Sequence, residues 1–267
     1  MGRGVEFLKR IIARVRSNGS QKKASVEMAS LLGLAARYLQ AQDYSAARRC
    51  LKRALESRPE MEDQQVLAGV LGWLLLTWQE TDQYRESTEF FSEHISKYPG
   101  DAIAYTLRAN SRWYAGELPA AIDDYSHALS VNSADVLALI GRGQVFVELD
   151  DYQRATQDLD HALEELGRLQ NVPEDWKTTA KAYSLNGRAA ASAGLGDFAR
   201  ALQLFDEAIA LRPRNAWAYF NRAKAYERRG ETMRALEDYK QALAMKEPKL
   251  NVLKRKHAEV KVSMLSV

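Results

Sequence analysis

Few residues in this chain have the types and spacing that catalysis or metal binding needs. Its four histidines are His94, His127, His161 and His257, and its only cysteine is Cys50. Metal sites draw several His, Cys or acidic ligands together, often through short spacings, and neither H-E-x-x-H nor C-x-x-C occurs. A Gly-rich phosphate loop with a following lysine and a G-x-S-x-G elbow are also missing. His127 and His161 stand 34 residues apart, an interval that recurs along the chain and marks them as decoration of a repeated segment. The pairs Asp123-Asp124, Asp158/Asp160 and Glu237-Asp238 read as the solvated face of a helix. Cys50 has no histidine nearby in sequence, so it reads as a small buried residue rather than a nucleophile. One cysteine excludes an internal disulfide and fits a reducing compartment. The expectation is a protein that is not an enzyme and holds no cofactor or metal.

What does recur is a spacing. Six segments align at a period near 34: 28–61, 68–101, 102–135, 136–169, 182–215 and 216–249. Position 20 of each is small (Ala47, Ser87, Ala121, Ala155, Ala201, Ala235), and position 24 is large and apolar (Leu51, Phe91, Tyr125, Leu159, Phe205, Tyr239). Position 27 is Ala except at His94. Positions 4, 8 and 11 share one helical face, and 20, 24 and 27 another. Turn residues such as Gly116-Glu117, Asp150-Asp151, Gly196-Asp197 and Gly230-Glu231 separate the two faces, and Pro59, Pro99 or Pro213 follows the second. Each segment therefore predicts two antiparallel helices of about three turns, with small residues where they cross closely. Residues 62–67 predict a lengthened first helix in the second segment. The insert 170–181, QNVPEDWKTTAK, reads as a spacer with a helix restart near Asn171 and Pro173.

This pattern resembles the tetratricopeptide repeat (TPR) family, whose small–large framework appears here at Tyr219, Ala223, Tyr226, Ala235, Tyr239 and Ala242. The resemblance implies an all-α fold, a right-handed superhelical solenoid of stacked antiparallel helix pairs spanning 24–248. The first helix of each pair would line a concave surface that holds a partner's peptide or amphipathic helix. Carried onto this chain, the lining is Trp73, Asn110, Trp113, Tyr114, Gln144, Tyr183, Asn186, Trp217, Phe220, Asn221 and Lys224. Rings would take apolar anchors while the amides bond a backbone. Gly187, Ala190, Ala193 and Gly194 would leave a notch between Tyr183 and a ledge of Trp217 and Phe220. The Lys/Asn set that grips a chaperone-tail carboxylate in one TPR subset is not present in three consecutive repeats.

Charge is unevenly placed. Residues 1–23 carry a net +6 and residues 249–267 a net +4, leaving −7 between them. Within 1–23, GVEFLKRIIARVR puts Val5, Leu8, Ile12 and Val15 on one helical face, with Lys9, Arg10, Arg14 and Arg16 mostly elsewhere. Such a helix caps the first repeat or docks on an anionic membrane surface. Nucleic acid is disfavoured because no basic–aromatic alternation accompanies the charges. A myristoylation signal fails at Glu6. Residues 249–267 predict a capping helix and tail, with Leu250, Leu253, His257 and Val260 inward and the lysines in water. No secretory leader or apolar run of roughly 20 residues is seen, which makes a cytoplasmic protein, peripheral to a membrane in the docking alternative, the expectation. Two functions compete: a protein-binding adaptor, and an assembly factor that docks on membrane or nucleic acid through its basic N-terminal helix.

Overall fold

The computed structural model describes residues 9–15, 23–56, 64–170, 172–245 and 252–265, and the regular structure among them is entirely helical. The chain divides into two compact units, Met1–Glu117 and Leu118–Val267, so the division falls inside the third repeat. The N-terminal unit holds α1 (9–15), α2 (Lys23–Gln40), α3 (Tyr44–Glu56), α4 (Gln64–Gln79), α5 (Tyr84–Lys97) and α6 (Ala102–Ala115). The C-terminal unit holds α7 (Leu118–Val131), α8 (Val136–Glu148), α9 (Tyr152–Arg168), α10 (Glu174–Gly194), α11 (Phe198–Leu211), α12 (Ala216–Arg228), α13 (Thr232–Ala244) and α14 (Val252–Leu265). Within each unit, sequential helices pack on one another, and first helices of successive repeats also touch, as in α8 on α10 and α10 on α12. This is the all-α, TPR-like stack of helix pairs.

The small positions are where helices meet. Positions 8, 20 and 27 of the first repeat are Ala35, Ala47 and Ala54, and of the sixth Ala223, Ala235 and Ala242, all fully buried. Every position 24, from Leu51 to Tyr239, is also fully buried and fills the space between the helices of a pair. The closest approaches use glycine. A Cβ on Gly141 would lie 2.4 Å from the ring of buried Tyr125, and one on Gly143 would lie 2.7 Å from Leu159.

Local chemistry sets the helix ends. Asp101, Asp135 and Asn215 precede first helices, and Asp151 and Asp197 precede second ones; each side chain accepts from a backbone N–H of the first turn. The turn inside a pair needs one left-handed residue, supplied by Gly116, Gly196 and Gly230 in three repeats and by Gln42, Asp82 and Asp150 in the others. Where Asp stands in that place, the tyrosine two residues on, Tyr84 or Tyr152, donates its hydroxyl to it. The two interruptions are mainly helix. α4 begins at Gln64, and α10 begins just behind Pro173, where the helix restart was expected, so most of the 170–181 insert is the first turns of a 21-residue helix.

Arginine at position 7 ties repeats together. Arg142 donates from Nε and Nη2 to Asp158 at 2.7 and 2.8 Å and from Nη1 to Ser126 of the preceding repeat at 3.0 Å. Arg222 repeats this with Asp238, at 2.7 and 2.8 Å, and reaches back to Asp206. Arg188 reaches back to Asp160 at 2.6 Å and Arg108 to Ser92 at 3.1 Å. Burial opposes charge on Arg222, but the Asp238 and Asp206 bonds outweigh it and hold its pKa above the ordinary value. The reading of the acid pairs as a solvated face is therefore half wrong. Asp123 and Glu237 are exposed, but Asp124, Asp158 and Asp238 are buried.

α1 and α14 lie at opposite ends of the described chain. In α1, Ile11 and Val15 join the core cluster that contains Met28, Ala29 and Leu32, while Ile12 is half-buried beside it. The inward face holds Val15 and Ile12 as expected and adds Ile11; Val5, Leu8 and Arg16 fall outside the described residues, as does Leu250. α14 is turned differently from expectation as well. Val260 is exposed, and two lysines point inward instead of into water: Lys254 lies 4.3 Å from the Trp217 ring centre and pairs with Glu148, and Lys261 donates to Glu227 at 2.7 Å. Between them Ala258 is fully buried, and the His257 ring meets Phe220 at 5.5 Å and Tyr239 at 6.1 Å.

Three outcomes follow from this packing. Gly141→Ala should lower unfolding stability by about 1–3 kcal/mol, because the Tyr125 ring has no free space to give; urea denaturation measures it. Arg142→Leu leaves Asp158 buried without its bidentate partner and should cost about 2–3 kcal/mol, and adding Asp158→Leu should return part of that loss; a double-mutant cycle reads the coupling. Desolvation, then Lys261 and Lys224, lower the His257 pKa, with Glu227 opposing. A histidine depressed in the folded state stabilises above its unfolded pKa and loses that contribution as pH falls through the folded value. Hydrogen-exchange protection across α14 should accordingly drop between roughly pH 7 and pH 5, and His257→Gln should flatten the response.

Candidate functional site

The first helices of the C-terminal unit leave a shallow, open cleft. Its floor is small and apolar: Ala190 and Ala193 from α10, Ala225 from α12 and Val147 from α8. Its rim is polar, with Asp150 and Tyr152 on one side and Asn221, Lys224 and Arg228 on the other. The floor exists because α10 carries Ala at two successive turns facing α12, so the neighbouring helices leave an unfilled strip.

The rim carries mixed charge. Desolvation, then Arg228 and Lys254, pull the Lys224 pKa down, while Asp150 and Glu148 act the other way. Burial raises the Tyr152 hydroxyl, which donates to Asp150 and lies 3.5 Å from an Arg228 nitrogen. Lys224 and Arg228 stand one turn apart on α12 and can receive a carboxylate or a backbone carbonyl from a bound segment. Nothing in this arrangement activates a nucleophile, and no group of three or more His, Cys, Asp or Glu among the described residues could hold a metal ion. Burial pushes the Cys50 thiol up, against Arg49 and Arg53, which disfavours the reactive thiolate.

The residues expected to line a groove meet several fates. Asn221 and Lys224 line the cleft. Gln144 is buried and donates to the Tyr183 carbonyl at 3.4 Å, and Asn186, 1% exposed, accepts from Asn221 at 3.2 Å. Both amides bond within the protein, while the Asn186 side-chain nitrogen is buried without a hydrogen-bond partner. Tyr183 is half-buried. Trp217 and Phe220 form no open ledge, being 5% and 3% exposed with Lys254 and His257 of α14 over them. The notch at Gly187 and Gly194 is filled, since Leu159 and Tyr152 lie against these two glycines. In the N-terminal unit, Trp73 is half-buried against the core cluster and Trp113 is buried; Tyr114 stacks on Tyr84 at 5.5 Å, and Asn110 is half-buried. Lys9, Arg10 and Arg14 are exposed on α1. Asp150 and Tyr152 were not expected at a site. The signal was Asp150 where three other repeats have a turn glycine.

Comparison with known proteins converges on one family. Models described as tetratricopeptide repeat match residues 106–169, 182–214 and 204–237. A tetratricopeptide repeat protein 36 homolog of Nematostella vectensis is 37% identical over 83 residues, 31% of this chain and 45% of that protein. Human tetratricopeptide repeat protein 36 is 41% identical over 73 residues, 27% of this chain and 38% of that one. The chain thus spans less than half the length of these relatives. Among solved structures, a tetratricopeptide repeat protein from Parabacteroides merdae superposes with a TM-score of 0.57 at 20% identity, covering 90% of this chain and 92% of that one. The APC/C hetero-tetramer Cut9-Hcn1 gives 0.70 at 15% identity, over 98% of this chain and 46% of that one. At such identities the structures speak for the fold alone; with the repeat register, the buried small positions and the matched repeat models, they agree on one conclusion. The chain carries tetratricopeptide repeats.

Proposed function

We propose that this protein is a non-catalytic adaptor that holds a segment of a partner protein on the concave side of its C-terminal unit. The observation that carries the reading is the cleft over Ala190 and Ala193, an apolar floor with Asn221, Lys224 and Arg228 along one edge. A peptide that places an apolar side chain on that floor and a carboxylate near Lys224 and Arg228 matches both features. The tetratricopeptide repeats support a protein partner, and Cut9, similar in fold, is part of a hetero-tetramer. Docking on an anionic membrane has less support. No helix among the described residues is long and apolar enough to cross a membrane, and α1 turns Ile11 and Val15 into the core rather than toward a lipid surface.

The test uses a random peptide library displayed against the intact chain and against a Lys224→Glu/Arg228→Glu variant of matched helicity. The expected result is enrichment of peptides pairing an acid with an apolar residue, binding the variant at least tenfold more weakly, about 1.4 kcal/mol. Equal binding to both proteins would remove the cleft as the site.

A further inference from the structure

Acid and base face each other across the cleft without pairing. Asp150 is the one acid among the cleft-lining residues and Lys224 and Arg228 are the bases, yet among the described residues no carboxylate makes an ion pair with either base. Desolvation, Arg228 and Lys254 all work against the charge on Lys224, while Asp150 and Glu148 favour it. Glu148 is already taken by Lys254. Closing Asp150 onto Lys224 would relieve the penalty on the ammonium, and the structure shows what prevents it.

The Tyr152 hydroxyl stands between acid and base. It donates to Asp150 and accepts from Arg228 Nη2 at 3.5 Å. Asp150 lies in the left-handed turn, at φ 57°, two residues ahead of the tyrosine. Tyr152 reaches this place because of Gly194, where an added Cβ would lie 2.2 Å from the tyrosine ring. The second repeat shows the alternative. It carries the same acid and tyrosine, Asp82 and Tyr84, bonded at 2.8 Å, but the next repeat has Tyr114 in the place of Gly194. Tyr84 stacks on that ring, with centroids 5.5 Å apart and planes at 12°. The Asp–Tyr bond is thus a local device of two repeats. In the C-terminal unit the glycine lets the tyrosine settle on α10 and meet Arg228 of the repeat beyond.

We infer that Tyr152 is a positioning residue for the cleft: its hydroxyl tethers Asp150 away from Lys224 and Arg228, so that both bases stay open to a partner's carboxylate. The inference rests on the cleft being the binding site proposed above. Asp150 is then a built-in competitor for the partner's acid, restrained by one hydrogen bond. At its present distance it favours the charge on Lys224 without occupying it.

The full-length chain tests this with two variants that keep the fold. Tyr152→Phe retains the ring on Gly194, and Asp150→Gly puts into a left-handed turn the residue that three other repeats have there. The first measurement needs no partner. A pH titration of the lysine Cε signals by NMR, assigned with Lys224→Arg, should show the Lys224 pKa raised in Tyr152→Phe and lowered in Asp150→Gly. The rise is expected whichever base the freed carboxylate takes, because pairing Arg228 also removes its repulsion of Lys224. A Tyr152→Phe chain in which Lys224 titrates as in the unaltered protein, or lower, would overturn the inference.

The second measurement reads the consequence for binding. The tightest acid-bearing peptide from the displayed library should bind Tyr152→Phe at least about fivefold more weakly, and Tyr152→Phe/Asp150→Gly should recover to within about twofold of the unaltered chain. Loss without recovery in the double variant makes the tyrosine a contact rather than a tether and sinks the proposal, as does unchanged binding to Tyr152→Phe. A peptide that binds Lys224→Glu/Arg228→Glu as well as the unaltered chain removes the cleft reading instead, and the Lys224 titration then decides the tether alone.

Discussion

Everything in this protein depends on helices approaching closely at a few positions that tolerate nothing larger than alanine. Where Ala35 meets Ala47 and Ala54, or Ala223 meets Ala235 and Ala242, the helices come near enough for one large residue at position 24 to fill the remaining gap. Close approach removes apolar surface from water and maximises dispersion contacts. Where α10 places Ala190 and Ala193 beside α12, the small side chains leave a cleft, although Ala193 itself is buried in the core.

Repeats packed only by such apolar seams would be free to slide, because an alanine seam has little registry of its own. The position 7 arginines supply the registry. Arg142 and Arg222 each fork onto an Asp of their own repeat while bonding a side chain of the preceding one, at fixed angles that a shift of one turn would break. A buried ion pair need not add net stability, but it penalises every alternative register in which the carboxylate is buried alone. The same arrangement explains why charges this dense can sit between packed helices.

The fold was legible because its determinants are local and repeated: one small residue, one large residue and one turn at a constant interval. The arginine pairs were just as periodic, and the acid at position 23 was misjudged because a charge in a polar run looks solvated until its partner 16 residues earlier is placed beside it. The site was legible only in part, for a different reason. Periodicity states which way a residue points, not what lies over it. Trp217 and Phe220 do lie on the first helix of their repeat, yet they are covered by a helix whose own sequence, with a single small residue between lysines, hardly looks apolar enough to cover anything. Gly187 looked like a gap, and Leu159 fills it.

That covering helix shows how a polar segment can shield an aromatic surface. Lys254 lays its ammonium over the Trp217 ring while pairing with Glu148, so cation–π attraction and ion pairing act on one charge. Lys261 does similar work at Glu227, itself bonded to the Tyr239 hydroxyl. Both lysine side chains are largely shielded from solvent, 15% and 30% exposed, so bulk salt screens them less than it would a surface pair. The hold is nevertheless electrostatic at its two ends and thin in its middle, where one alanine and the edge of one imidazole make the contact. A hold of this kind is specific without being strong, since its geometry selects a base at each end whereas its strength would grow only with the apolar volume between them. The acidic body and the basic C-terminal helix of the sequence are in this sense matched, since Glu148 and Glu227 each receive one of its lysines.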